Sequence, residues 1–356
     1  MNEESAVEPT DALRRVIAGG DLSRPEMRHL MGALMDGDLS QIQMAALLVA
    51  LASKGETADE ITGAAEAMRQ RAVAVSHRVQ GVVDTCGTGG DGKGTFNIST
   101  AAALVTAAAG VPVAKHGNRS VSSQSGSADV LEALGIAPES TPDAAAQALA
   151  DIGICFMFAP LFHPAMREVM PVRQALGVRT LFNVVGPLTN PAGAKRQVMG
   201  VYARELVDVI ATVLRDLGSE HALVVHGADG LDELTVTGTT HVAEVRRGRI
   251  EQRDVTPKDF GLKVAAPEAL HGGDPAENAR LLEALLDGED GALADVTALN
   301  AGAAIYVGGK AESVRDGVLV ARNAIASGAA RETLEALRSV SSRNSRSDGG
   351  DDGESR

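Results

Sequence analysis

Tryptophan is absent from this chain, and aromatic residues of every kind make up 2% of its 356 positions. An interior without large rings has to be built from Ala, Val, Leu and Ile, and a hydrophobic content of 44% supplies a sizeable core. Scarce aromatics also oppose the stacking platforms that hold single-stranded nucleic acids. Positive charge is in deficit: 33 Lys and Arg face 47 Asp and Glu, a formal net charge of −14. That balance argues against nucleic acid or an anionic membrane as the main partner. An anionic small substrate would need a local basic pocket in an acidic body. The two cysteines, Cys86 and Cys155, make no disulfide framework and fit a reducing compartment. No apolar run is long enough to span a bilayer and no charged-then-apolar leader is present, so the expected location is cytoplasmic.

Glycine, by contrast, is abundant, and five glycines fall between Gly87 and Gly94. The stretch from Val82 to Thr100 reads as strand, glycine-rich loop, helix start. Gly87, Gly89, Gly90, Gly92 and Gly94 follow an apolar run, and Asn97 and Ser99 then open an alanine-rich segment. Glycines let backbone N–H groups turn toward a ligand, and a helix start adds unpaired donors, which together make a phosphate cradle. Asp91 in its middle calls for a metal ion, a cationic side chain or a sugar hydroxyl. The pattern G-x-G-x-x-G is met, but the second strand runs into Lys115-His116 where a dinucleotide fold needs an acid. Gly92-Lys93 is followed by Gly94, so the Walker pattern fails too. What remains is a loop for phosphates of another kind.

Two further polar loops follow strand ends, where ligands bind in open α/β sheets. Lys115 to Ser127 holds a Lys, a His, an Arg, an Asn and several hydroxyls with no acid, a donor set suited to phosphate oxygens. Asp232-Glu233, after the strand at 221–225, suits a hard divalent cation such as Mg²⁺ that also meets phosphates, or is a solvated acidic turn. Arg173 and Arg179 could each pair with a carboxylate. His163 reads as a packing or capping residue, and Cys86 as a small buried one.

Residues 10–76 read as helical throughout, with capping signals at Ser40 and Thr57. From residue 81 strands and helices alternate, which argues for a mainly parallel sheet with helices on its faces. Strands are expected at 81–85, 111–114, from Ile154, from Gln197 and from His221, with a hairpin over 239–255 turning at Arg247-Gly248. Residues 179–191 read as a strand-to-turn connection. The late helices are expected near 275–287, 310–326 and 329–339. The tail from Ser341 has no apolar residue and is expected to be disordered.

GTGGD at Gly87–Asp91, NIST at Asn97–Thr100, KHGNRSVSS at Lys115–Ser123, LDELT around Asp232-Glu233 and the segment His163–Pro191 occur in one order and spacing. In this the chain resembles the anthranilate phosphoribosyltransferase family. The resemblance implies an α/β fold of the nucleoside phosphorylase and phosphoribosyltransferase type. A helical domain of residues 1–77, with a mid-chain contribution near 163–192, would join a larger α/β domain of residues 78–340, followed by a disordered tail at 341–356. It implies transfer of the phosphoribosyl group of phosphoribosyl pyrophosphate to the amine of anthranilate, with release of pyrophosphate and help from Mg²⁺, in a homodimer joined through the helical domain. Carried over residue by residue, phosphoribosyl pyrophosphate would meet Gly87, Gly90, Asp91, Thr95, Asn97, Ile98, Ser99 and Thr100. It would also meet Lys115, His116, Gly117, Asn118, Arg119, Ser120, Val121, Ser122, Ser123 and Ser127. Anthranilate would meet Gly87, Asn118 and Arg173, with His116 and Pro187 lining its path, and Mg²⁺ would be held by Ser99, Asp232 and Glu233. No residue is assigned as a general base, because a neutral aromatic amine needs none before it attacks. The rival readings are a pyrimidine-type nucleoside phosphorylase, whose glycine loop is similar but which lacks KHGNRSVSS in this form, and a nucleic-acid-binding relative, which the charge opposes.

Overall fold

The computed structural model describes residues 7–120, 124–137 and 141–347. Four helices come first: α1 Pro9–Ile17, α2 Arg24–Met35, α3 Gln41–Lys54 and α4 Ala58–Arg71. Side chains visible in the sequence set two of their starts. Ser40 accepts the Gln43 N–H, and Thr57 accepts the Glu60 N–H while Glu60 takes the Thr57 N–H at 2.8 Å. Glu60 is fully buried, and its charge is matched by Lys54 Nζ at 2.9 Å and by the Leu22 N–H at 3.0 Å.

Among the described residues seven strands form one sheet: β1 Val83–Gly87, β2 Val113–Gly117, β3 Ile154–Phe158, β4 Arg196–Gly200, β5 His221–Gly227, β6 Thr240–Arg246 and β7 Arg249–Val255. Their order is β3-β2-β1-β4-β5-β6-β7. The pairs from β3 across to β5 are parallel, and β5, β6 and β7 pair antiparallel. The β6–β7 hairpin turns at Arg247-Gly248, both with positive φ, as expected. The connections run one way from β1 to β3 and the other way from β4, so the crossovers part at the carboxyl ends of β1 and β4. In an open α/β sheet that crevice is where ligands bind.

The remaining helices are α5 Ile98–Ala108, α6 Ser127–Ala133, α7 Pro142–Ile152, α8 Ala159–Phe162, α9 Met166–Leu176, α10 Leu181–Val185, α11 Leu206–Asp216, α12 Pro275–Leu286, α13 Ala292–Val307, α14 Val314–Ala326 and α15 Ala329–Ser347. Alternate strand residues divide the core. Val198, Leu223, Val225 and Val242 face α5, α13 and the other late helices. Met199, Ala222, Val224 and Ala243 face α11 and a helical layer in which α1 to α4 pack with Val169, Val172 and the α10 residues. No helix among the described residues is long and apolar enough to cross a membrane.

Four expectations need correction. Residues 181–185 are helical, not extended: Asn183 accepts the Thr180 N–H at 3.0 Å, and a short run of buried apolar residues carries no period that separates strand from helix. Helix α13 is absent from the sequence reading because it is buried on all sides from Val296 to Val307 and so shows no polar face. β1 and β2 each start two residues later than expected, and they end on Gly87 and Gly117. The chain is also not disordered from Ser341. Helix α15 continues to Ser347, and Ser341 is buried, its Oγ accepting from the Ala137 N–H at 2.7 Å and donating to the Ala137 carbonyl at 3.0 Å. Residues 348–356 lie outside the described residues.

Candidate active site

The loop that follows β5 lies across the ends of two strands. A Cβ on Gly200, at the end of β4, would sit 1.5 Å from the Asp232 carbonyl oxygen, and one on Gly87, at the end of β1, would sit 2.4 Å from Asp232 Oδ2. Only glycine leaves room for this approach. Asp232 Oδ2 then accepts the Gly89 N–H at 2.8 Å, which joins the acidic loop to the glycine loop. Asp91 accepts its own loop's Lys93 N–H at 3.1 Å.

The backbone of Ser99 favours the charged form of Glu233, and Ser99 Oγ accepts from Lys115 Nζ at 3.1 Å. Lys115 is buried and donates its other bond to the Thr85 carbonyl at 2.5 Å. Its pKa is lowered by burial, against the pull of Asp84 and Glu233. Asp232 and Glu233 are both shifted upward, first by burial and then by neighbouring carboxylates, with Asp91 adding to each. No Lys or Arg among the described residues forms an ion pair with any of the three, nor do three His, Cys, Asp or Glu side chains enclose a metal there by themselves. Crowded acids with no ion-paired Lys or Arg, beside a phosphate cradle, fit a divalent cation that completes its shell from substrate oxygens and water.

Beneath this lies a second set of contacts. Asp84 is fully buried, its pKa raised by burial to about 6. It accepts the His116 N–H at 3.2 Å and Asn190 Nδ2 at 2.7 Å, so β1 ties the strand bearing His116 to the loop bearing Pro187. Gln197 holds the Pro187 carbonyl at 2.7 Å, and Arg69 of α4 holds the Leu188 carbonyl at 2.7 Å. His116 packs against His163 with ring centroids 5.0 Å apart and the ring planes tilted by 49°. Burial lowers their pKa values to about 3 and about 4, so both rings are neutral near pH 7. His116 Nε2 and both nitrogens of His163 are buried without a hydrogen-bond partner. Arg173 on α9 lies with its guanidinium 5.4 Å over the Phe182 ring and has no acidic partner among the described residues.

Several expected ligand residues are used differently. Asn97 directs its amide inward, to Ser125 and to Asn278 Nδ2 at 2.9 Å, which leaves its backbone for a ligand. Arg119 pairs with Asp129 at 3.0 Å and with Glu132, so its guanidinium serves α6. Thr95 bridges His271, Ile98 and Thr100 are buried, and Ser127 Oγ closes the loop on the backbone of Asn118 at 3.2 Å. Gly117 ends β2, and the Ser120 N–H is held by Asp129 at 3.0 Å. Val121, Ser122 and Ser123 lie outside the described residues. Arg179 meets no carboxylate among the described residues: it donates to the Gly90 carbonyl and covers the Tyr202 ring at 4.3 Å. Asp84, Asn190, Gln197, Asn278 and Asn300 went unnoticed in the sequence. For Asp84 a signal existed, an acid inside an apolar strand; for the amides there was none.

Comparison with known proteins bears on this arrangement directly. Residues 10–72 match the helical bundle domain of a glycosyl transferase family, and residues 79–331 match the α/β domain of the same family. The anthranilate phosphoribosyltransferase of Rubrobacter xylanophilus is 54% identical over 334 residues, covering 94% of this chain and 97% of its own. The chain belongs to the anthranilate phosphoribosyltransferase family. Among solved structures, the Thermus thermophilus member superposes with a TM-score of 0.88 at 49% identity, covering 93% of this chain and 99% of its own. The Saccharomyces cerevisiae member, solved in complex with phosphoribosyl pyrophosphate and Mg, gives 0.85 at 26% identity, covering 96% and 99%. The same yeast enzyme in complex with 4-fluoroanthranilate gives 0.84 at 26% identity, covering 94% and 98%. Family membership agrees with the crevice in this fold: a glycine loop, a basic strand end and an acidic loop meet at the parting of the crossovers.

Proposed function

We propose that this chain transfers the phosphoribosyl group of phosphoribosyl pyrophosphate to anthranilate in the crevice at the ends of β1 and β4. The observation that carries this is the seating of Asp232 over Gly87 and Gly200 with its carboxylate on the Gly89 N–H, which brings the acidic loop onto the glycine loop. The glycine loop and the start of α5 hold the pyrophosphate through backbone N–H groups, and Lys115 adds a buried positive charge beside Ser99. Ser99, Asp232 and Glu233 would hold Mg²⁺, which, when bound, supplies positive charge to a leaving pyrophosphate. Arg173 takes the carboxylate of anthranilate, with Asn118, His116 and Pro187 along its path.

The amine nitrogen attacks C1 of the ribose as the bond from C1 to the pyrophosphate oxygen breaks. That bond's electrons leave with pyrophosphate, and the proton shed by the new secondary amine goes to water or to the departing group. The neutral His116 and His163 rings add no positive charge near the oxocarbenium-like sugar. Catalysis rests on alignment of two bound substrates and stabilisation of the leaving group. Residues 1–77 with 163–192 are proposed as the helical domain and 78–347 as the α/β domain, with a second copy joined through the former.

Replacing Asp232 and Glu233 together by Asn and Gln keeps shape and removes charge. Turnover should fall by about two to three powers of ten and the Mg²⁺ requirement should rise, while anthranilate affinity holds. Steady-state kinetics across a Mg²⁺ titration, with calorimetry for each substrate, tests this. Wild-type turnover at ordinary Mg²⁺ would move the metal elsewhere, with Asp91 and Ser99 as the next candidates.

A further inference from the structure

We infer that Asn300, on the buried helix α13, is a positioning residue for Asp232 and Glu233. Its amide is 2% exposed and fully engaged. Oδ1 accepts the Leu234 N–H at 3.1 Å, while Nδ2 donates to the Leu234 carbonyl at 2.9 Å and to the Val296 carbonyl at 2.9 Å. Leu234 immediately follows the two acids. Both of its backbone groups are therefore gripped by one side chain, as a neighbouring strand would grip them.

This explains why an amide stands in a helix that is otherwise almost wholly apolar. The loop after β5 enters the interior without a strand partner, and its backbone polar groups need bonds that water cannot reach. Asn300 supplies them, and in doing so fixes the chain one residue beyond Glu233. On the other side the Asp232 carbonyl rests against Gly200, and its carboxylate is on Gly89. The two acids are thus held between strand ends below and a side-chain clamp behind. Outer partners of this kind set where charged ligands point, and losing one costs about ten- to a hundred-fold in metal affinity or activity.

The inference rests on the reading of Asp232 and Glu233 given above, and the test separates the two. Asn300→Asp keeps the shape and the acceptor for Leu234 but removes both donors. Asn300→Ser is the second variant if the first does not fold. Ile305→Val, on the same buried helix and away from the clamp, controls for simple loosening of the core. In the full-length protein, four readouts are compared: kinetic constants for each substrate across a Mg²⁺ titration, calorimetric binding of Mg²⁺ with pyrophosphate, hydrogen exchange at the Leu234 amide, and the melting temperature. The expected result for Asn300 variants is turnover lower by about ten- to a hundred-fold, half-saturating Mg²⁺ raised, weaker Mg²⁺–pyrophosphate binding, lost protection at Leu234 and an unchanged KM for anthranilate. Ile305→Val should lower the melting temperature without changing the Mg²⁺ response. If Asn300 variants only melt earlier, as Ile305→Val does, the inference is overturned and the reading of the acids stands. If the Asp232-Glu233 double variant also keeps a wild-type Mg²⁺ response, the reading falls and the inference with it.

Discussion

Arg173 lies over Phe182 with no acid among the described residues to meet it, a costly state for a guanidinium partly withdrawn from water, and burial lowers its pKa. A carboxylate ligand supplies the missing partner. Replacing Arg173 by Ala should therefore raise the KM for anthranilate by about ten- to a hundred-fold, the worth of a hydrogen bond to a charged group, and leave the KM for phosphoribosyl pyrophosphate nearly unchanged. Titrating both substrates against the variant decides it, and equal losses would refute the assignment. Arg173 was singled out through the family resemblance, since by itself it reads no differently from Arg179. Asn190 and Asn300 were not, because each holds backbone from a distant part of the chain; Gln197 holds the nearby Pro187 carbonyl with no pattern to show it, and Asp84 showed only as an acid inside an apolar strand. A side chain whose partner lies more than sixty positions away leaves no local pattern, as with Asn300 and Leu234. Asn97 and Arg119, both expected as ligand residues, have side chains that serve the protein itself.

Helices with one polar face were legible: α3 and α4 start at the caps the sequence displays, and the β6–β7 hairpin turns where Arg247-Gly248 predicts. Helix α13 was hidden by its own burial, since a helix that is apolar all round loses the period that reveals it. Helix α15 shows the opposite problem. Its last turns have no apolar residue to announce them, yet Ser341 docks on the backbone of Ala137 through two hydrogen bonds. The consequence differs by cut site. Ending the chain after Val340 should lower stability by about 1–3 kcal/mol for those two bonds. Ending it after Ser347 should leave the melting temperature unchanged, because residues 348–356 hold no apolar side chain to bury. Thermal melts of both truncations check this. A large loss in the longer one, or none in the shorter, would contradict it.

The mainly parallel sheet was readable from strand–helix alternation, whereas its strand order needed tertiary structure and the mid-chain part of the helical layer was expected only from the family resemblance. On the outer side of that helical layer Ile17 and Ile42 are 71% and 82% exposed, with Val49 one heptad on from Ile42 at 41%. α1 and α3 pack together, so these are exposed apolar side chains on neighbouring helices, of the sort that marks a subunit contact. The pairing with a second copy proposed above requires that Ile42→Asp lower the mass measured by light scattering, with the fold intact by circular dichroism. A wild-type mass would place the contact elsewhere. Inside the same layer, Leu34, Leu48 and Met68 share their core with Val169, Val172 and Leu181. About a hundred residues of synthesis separate Met68 from Val169, a delay on the order of ten seconds at ordinary ribosome speeds. For that interval the nascent helices present a leucine- and methionine-lined face with nothing to cover it, and a holding chaperone would find its target there until α9 and α10 leave the exit tunnel.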